Sequence, residues 1–116
     1  MAQVVLVGKE WSTRTLLRAQ LLEEGVEVEA YESIEDALKA LFPSLPALLL
    51  VDLTASNDPD EDLHNLACCV ARVPTWIITS RSFLVGTDLE GHGFDRVFFR
   101  PVDMGELVSL IKQRLQ

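Results

Sequence analysis

Residues 46–53, Pro-Ala-Leu-Leu-Leu-Val-Asp-Leu, form an apolar run broken only by Asp52, with the turn formers Ser56, Asn57, Asp58 and Pro59 close behind. A run of this length without alternation suits a strand buried on both faces, at the centre of a parallel sheet. Shorter apolar runs at residues 3–7, 75–79 and 96–99 read as further strands. Residues 26–31 instead alternate apolar positions with Glu27 and Glu29, the pattern of an edge strand with one wet face. Helical periods fill the gaps. Leu16, Leu17 and Leu21, with Ala19 or Leu22, follow a cap at Ser12 or Thr13 and stop at Gly25. Ile34, Ala37, Leu38 and Leu41 follow a cap at Ser33. Leu63, Leu66, Ala67 and Val70 follow an acidic, Pro-containing start at residues 58–62. Leu107, Leu110, Ile111 and Leu115 follow Asp103 and Glu106, which are spaced like a capping box. Residues 81–95, interrupted by Gly86, Gly91 and Gly93, predict only a short helix around residues 87–90.

Strands alternating with helices predict an α/β fold, a parallel sheet with helices on both faces. Five strands favour the flavodoxin-like order 2-1-3-4-5, in one domain over residues 1–116. Ligand sites in such sheets lie beyond the carboxyl ends of the central strands, where Asp52 stands. The plainer reading of Asp52 is a strand-ending Asp that closes the following turn.

Composition narrows the function classes. A chain of 116 residues supports one core. No apolar stretch approaches the roughly 18 residues of a membrane span. The first residues lack the basic flank of a secretory signal, so a soluble, cytoplasmic protein is expected. A net charge of −8 disfavours direct nucleic-acid binding, which needs a basic surface, and is compatible with protein partners. Cys68 and Cys69 are adjacent in a predicted helix and carry no disulfide or metal-ligand spacing.

In the predicted strand order, Gly8-Lys9-Glu10, Asp52 and Thr79 open onto one crevice, with Arg100 beside Thr79. Here the chain resembles, over essentially its full length, the receiver domain of two-component response regulators. Leu50-Val51-Asp52-Leu53 is similar to the strand whose Asp accepts a phosphoryl group from a histidine kinase. Ile77-Ile78-Thr79-Ser80 is similar to the strand carrying the switch Thr, and Gly93 falls on the Gly before strand 5. Arg100-Pro101 falls on the family's Lys-Pro, whose peptide is cis. The acidic pair that holds magnesium falls on Gly8 and Lys9, so neither carboxylate is present. The aromatic switch position falls on Val97, and the loop at residues 55–62 lacks the family's Pro and Gly. The resemblance therefore implies the fold, and implies a signalling role in a two-component phosphorelay with an eroded, pseudo-receiver site.

The erosion has a physical consequence. Phosphoryl transfer to a carboxylate needs like charges neutralised, mostly by a divalent cation held by oxygen ligands. Losing two carboxylates and gaining Lys9 changes the local charge by roughly +3. Each unit charge about 4 Å away is worth roughly 4 kcal/mol at an effective dielectric near 20. Magnesium binding is therefore expected to be lost, and no cofactor is expected. Glu10 is the one residual acid, its side chain expected to point elsewhere. Lys9 is expected either to pair with Asp52 alongside Arg100, or to point into solvent. Arg for Lys at position 100 favours bidentate carboxylate contacts. Thr79 reads equally as a switch residue or as an ordinary strand-end Thr.

Trp11, in the loop beside the crevice, is a candidate partner contact or a lid on its own helix. Phe83 and Leu84 are further candidate partner contacts in an apolar patch. The resemblance places partners, including a homodimer, on the face formed by the fourth and fifth helical segments. Gly8-Lys9 with Ser12-Thr13 lacks the spacing of a phosphate-binding loop, and His64 and His92 lack ligand spacing. The favoured expectation is a degenerate, non-catalytic receiver domain acting by protein–protein interaction in signal transduction, with a histidine kinase or a transcriptional or signalling regulator as partner. The alternative is a working phosphoacceptor modified on Asp52, with Mg2+ held weakly by Glu10 and Asp52. A small-ligand binder is the third, and it lacks a phosphate-cradling glycine motif. The chain ends where the last helix should, which fits a stand-alone domain or the front of a longer regulator.

Overall fold

The computed structural model describes residues 2–41, 44–80 and 93–116. Five strands, β1 (Val4–Gly8), β2 (Val28–Tyr31), β3 (Leu48–Asp52), β4 (Thr75–Thr79) and β5 (Arg96–Phe99), form one parallel sheet in the order β2-β1-β3-β4-β5. The helices among the described residues are α1 (Trp11–Glu23), α2 (Ile34–Leu41), α3 (Pro59–Val70) and α4 (Met104–Leu115). The order and parallel pairing match the flavodoxin-like expectation. The helix expected around residues 87–90, together with Phe83, Leu84 and His92, lies outside the described residues.

The two-residue period of the strands sorts their side chains into two cores. Val5, Val7, Leu49, Val51 and Ile77 face one way, against Ile34, Ala37 and Leu41 of α2 and Leu63, Leu66 and Cys69 of α3. Val4, Leu6, Leu48, Leu50, Trp76 and Ile78 face the other, against Leu17 and Leu21 of α1 and Leu107, Val108 and Ile111 of α4. Because both faces are covered, β1, β3 and β4 are buried at every position, which is why they read as unbroken apolar runs. Each fully buried Leu or Ile contributes roughly 1.5–3 kcal/mol of apolar burial.

Helix starts follow the cap chemistry. Ser33 Oγ accepts from the Asp36 N–H at 3.2 Å, Asp58 Oδ1 from Glu61 at 3.1 Å, and Asp103 Oδ1 from Glu106 at 3.0 Å. At α1 the expectation needs correcting. Glu10 occupies the N-cap without a side-chain cap bond. The Ser12 and Thr13 hydroxyls instead donate to its carboxylate, at 3.3 and 2.6 Å. The inward row of α1 is Thr13, Leu17 and Leu21. Leu16, Ala19 and Leu22 are exposed, because α1 is apolar on its outer side as well, and apolarity alone did not separate the two faces. In α3 the inward residue is Cys69 rather than Ala67, and burial pushes its thiol pKa up to about 12. Among the described residues no helix is long and apolar enough to cross a membrane.

Candidate functional site at the carboxyl end of the sheet

The same two-residue period aims the residues at the strand ends. Gly8 pairs in register with Asp52, and both continue the rows that face α1 and α4. A Cβ on Gly8 would meet the Asp52 Cβ at 3.3 Å, so the glycine lets the carboxylate lie close against β1. Asp52 Oδ1 accepts from the Thr54 N–H at 2.9 Å, the turn-closing bond expected of a strand-ending Asp. Its Oδ2 lies 2.6 Å from Arg100 Nη2.

Arg100 is the hub. It follows β5, whose Phe98 packs in the α1/α4-side core, and so its side chain emerges on that face. The peptide between Arg100 and Pro101 is cis, and the Arg100 N–H donates to the Thr79 carbonyl at 2.9 Å. Beyond Asp52, Nη2 donates to Thr13 Oγ1 at 3.0 Å, and Nε donates to Thr54 Oγ1 at 2.7 Å. Glu10 Oε2 stands 3.7 Å from Nη2. The Asp52 side chain is only 4% exposed and that of Arg100 25%, so the pair is shielded far more than a surface ion pair. Two carboxylates thus grip one guanidinium, whose fork of donors suits several oxygens at once. The Thr13 and Thr54 hydroxyls accept from it as well, and its contact with Asp52 runs through Nη2 alone rather than as the bidentate pair expected.

One open expectation is decided here, in favour of an exposed Lys9, and one changes. Lys9 does not pair with Asp52: it is exposed and joins no ion pair among the described residues. One residue beyond Gly8, it falls on the α2/α3 side. There it lines an open cleft of about 220 Å3 with Glu32, Glu35, Asp58 and Glu61. Glu10 does not point elsewhere. Its extended backbone (φ −72°, ψ 107°) returns the carboxylate to the Asp52 side. The strand period carried past Gly8 already separates Lys9 from Glu10, and the Thr13–Leu17–Leu21 row already aims Thr13 inward. Thr54 left no signal in the sequence beyond its place two residues after Asp52.

Thr79 is buried at the end of β4, and its Oγ1 has no hydrogen-bond partner among the described residues. Val97 is half-buried and pairs with Ile77. Trp11 begins α1 and is 68% exposed, so it is not folded down as a lid. His64 faces solvent. Arg14 Nη1 donates to the Gly8 carbonyl, fixing the loop after β1.

The donor set does not fit a magnesium ion. Gly8 offers no side chain, Lys9 offers no carboxylate and points to the other side, and both oxygens of Asp52 are already engaged. The position between Asp52 and Glu10 is filled by the Arg100 guanidinium. Among the described residues, no group of three or more His, Cys, Asp or Glu side chains is placed to hold a metal.

No protein-family model matches the sequence, and no curated protein matches it. Solved structures do resemble it. An uncharacterised protein from Neptuniibacter caesariensis is 19% identical with a TM-score of 0.80, over 97% of this chain and 86% of that one. The receiver domain of Francisella response regulator 1452 is 15% identical with a TM-score of 0.79, over 99% and 97%. The response regulator TrrA of Thermotoga maritima, solved in complex with Mg2+ and BeF, is 24% identical with a TM-score of 0.76, over 98% and 99%. The chain has the fold of response-regulator receiver domains.

Proposed function

We propose that this chain is a degenerate receiver domain that signals through protein–protein contacts, without metal-dependent phosphorylation and without catalysis of its own. The observation that carries the reading is the 2.6 Å contact of Arg100 Nη2 with Asp52 Oδ2, beside Gly8 and Lys9 where a metal would need acids. A phosphoacceptor needs a free carboxylate oxygen as nucleophile and a cation that bridges it to the incoming phosphoryl group. Here the carboxylate is already neutralised from within, by a guanidinium whose planar fork reaches four oxygens. Such a site holds one arrangement without a ligand and suits a fixed docking module.

The test is beryllofluoride with excess Mg2+, followed by Trp fluorescence and by intact-mass analysis after a small-molecule phosphodonor. The expected result is no saturable change in emission and no added phosphoryl mass. A saturable, Mg2+-dependent change that Asp52→Asn abolishes would establish a working phosphoacceptor instead.

A further inference from the structure

The outer face of α1 is unlike any other exposed helix face among the described residues. Among the described residues the exposed large hydrophobics are Trp11, Leu16, Leu22 and Leu45, and all but Leu45 lie on α1. The inner row Thr13, Leu17 and Leu21 is buried. Directly opposite runs Ser12, Thr15, Ala19 and Leu22, all exposed and none charged. Their alternating three- and four-residue spacing is that of a two-helix seam, and Ser12, Thr15 and Ala19 are small enough to let a second helix approach closely. Trp11 and Arg18 border the seam on one side, Leu16 and Glu23 on the other.

That border is self-complementary in one orientation only. When two identical helices pack in parallel about a two-fold axis, a residue on one border faces the opposite border of its mate about five residues further on. Trp11 then meets Leu16 of the second copy, and Arg18 meets Glu23 of the second copy, each contact occurring twice. Antiparallel packing would instead set the Arg18 border against itself. Neither Arg18 nor Glu23 joins an ion pair among the described residues, so both are free to make these contacts.

We infer that the outer face of α1 is a homodimer interface, in which a second copy of this chain packs its α1 in parallel. Ser12 of the seam touches the Asp52–Arg100 network through the Glu10 carboxylate, but none of the residues changed below belongs to that network, so the proposal stands or falls independently of the function proposed above. A 13-residue helix is about 20 Å long. Its face is smaller than the roughly 800 Å2 per partner of a standard stable interface. The dimer is therefore a weak one, opposed by a net charge of −8 on each copy.

Sedimentation equilibrium of the full chain, from micromolar to millimolar concentration in about 0.15 M salt to screen that repulsion, tests it. The wild type should show a reversible monomer–dimer equilibrium. Arg18→Glu and Glu23→Arg should each weaken it by about tenfold, as two equivalent contacts turn from attraction to repulsion. An equimolar mixture of the two variants should restore wild-type association, because each then supplies the charge the other lacks. Leu22→Lys should abolish it. All three sites are exposed, so folding is not at stake. A chain that stays monomeric throughout, a dimer indifferent to these changes, or a mixture no tighter than either variant alone would overturn the proposal.

Discussion

The two sides of the sheet treat their strand ends in opposite ways. On the α1/α4 side, Glu10, Thr13, Asp52, Thr54 and Arg100 close into one hydrogen-bonded cluster around a nearly inaccessible carboxylate. On the α2/α3 side, Lys9 lines an open cleft together with Glu32, Glu35, Asp58 and Glu61, a cleft that Gly8 and Asp52 also border. Both sides carry acids and one base. What separates them is solvent. A charge pair shielded from water is bound by several times the energy of the same pair in water, and leaving one member alone is correspondingly costly. The charges of the open cleft are hydrated and screened. The closed side is therefore where a change of charge should cost the most stability.

The strongest break in that comparison is Arg100→Met, which keeps much of the aliphatic stem and removes the guanidinium. Asp52 would then be buried without a counter-charge. With Arg100 itself a quarter exposed, the loss is expected at about 2–4 kcal/mol, somewhat below the roughly 3–5 kcal/mol of a fully buried pair that is broken. Urea denaturation would read this as a lower midpoint at unchanged slope. Combining it with Asp52→Asn should cost clearly less than the sum of the single changes, since the second change removes the charge the first one strands. Strict additivity would mean that the 2.6 Å contact carries no energy.

A smaller effect sharpens the comparison by rebuilding what the site lacks. Gly8→Asp with Lys9→Asp supplies two carboxylates at the end of β1. The new Cβ at position 8 would press on Asp52 at 3.3 Å, so the variant should be less stable than wild type in the absence of divalent ions. Adding Mg2+ at about five times its dissociation constant should then return roughly 1 kcal/mol. Wild type should gain no more from Mg2+ than from matched ionic strength. Equal Mg2+ stabilisation of both would mean that the native residues already hold the ion.

The sequence displayed the fold through burial and hid the site through direction. Unbroken apolar runs at β1, β3 and β4 exist because both faces of the sheet are covered, so composition and order were enough. Asp52 and Arg100 were legible for the same reason: each closes a strand whose end is fixed by the run before it. Lys9 and Glu10 were not, because they leave the strand, and charge was weighed there without the side each one faces. Counting in twos past Gly8 would have exchanged their roles. Thr54 was beyond reach, since its hydroxyl meets Arg100 only through the turn that Asp52 itself closes. The outer face of α1 misled in the other direction. Leu16 and Leu22 read as core because a helix apolar on two sides has no clear inner face until its neighbours are known.

The least effect is expected from Lys9→Ala, and it is the most direct check on the open side. Lys9 is the one cation among the described residues lining that cleft, so an electrostatic view blind to solvent would rank it with Arg100. Its side chain is exposed and makes no ion pair among the described residues. The variant should therefore stay within about 0.5 kcal/mol of wild type, the usual range for surface substitutions. Any loss should come from the neighbouring acids left facing one another through water. It should then fade as ionic strength rises from about 0.01 to 1 M, over which the screening length falls from roughly 30 to 3 Å. The penalty of Arg100→Met should persist across the same range, because its partner is out of reach of salt. If Lys9→Ala instead cost as much as Arg100→Met and resisted salt, the two sides of the sheet would be electrostatically alike. The Lys9 ammonium would then have to turn in toward Asp52 in solution.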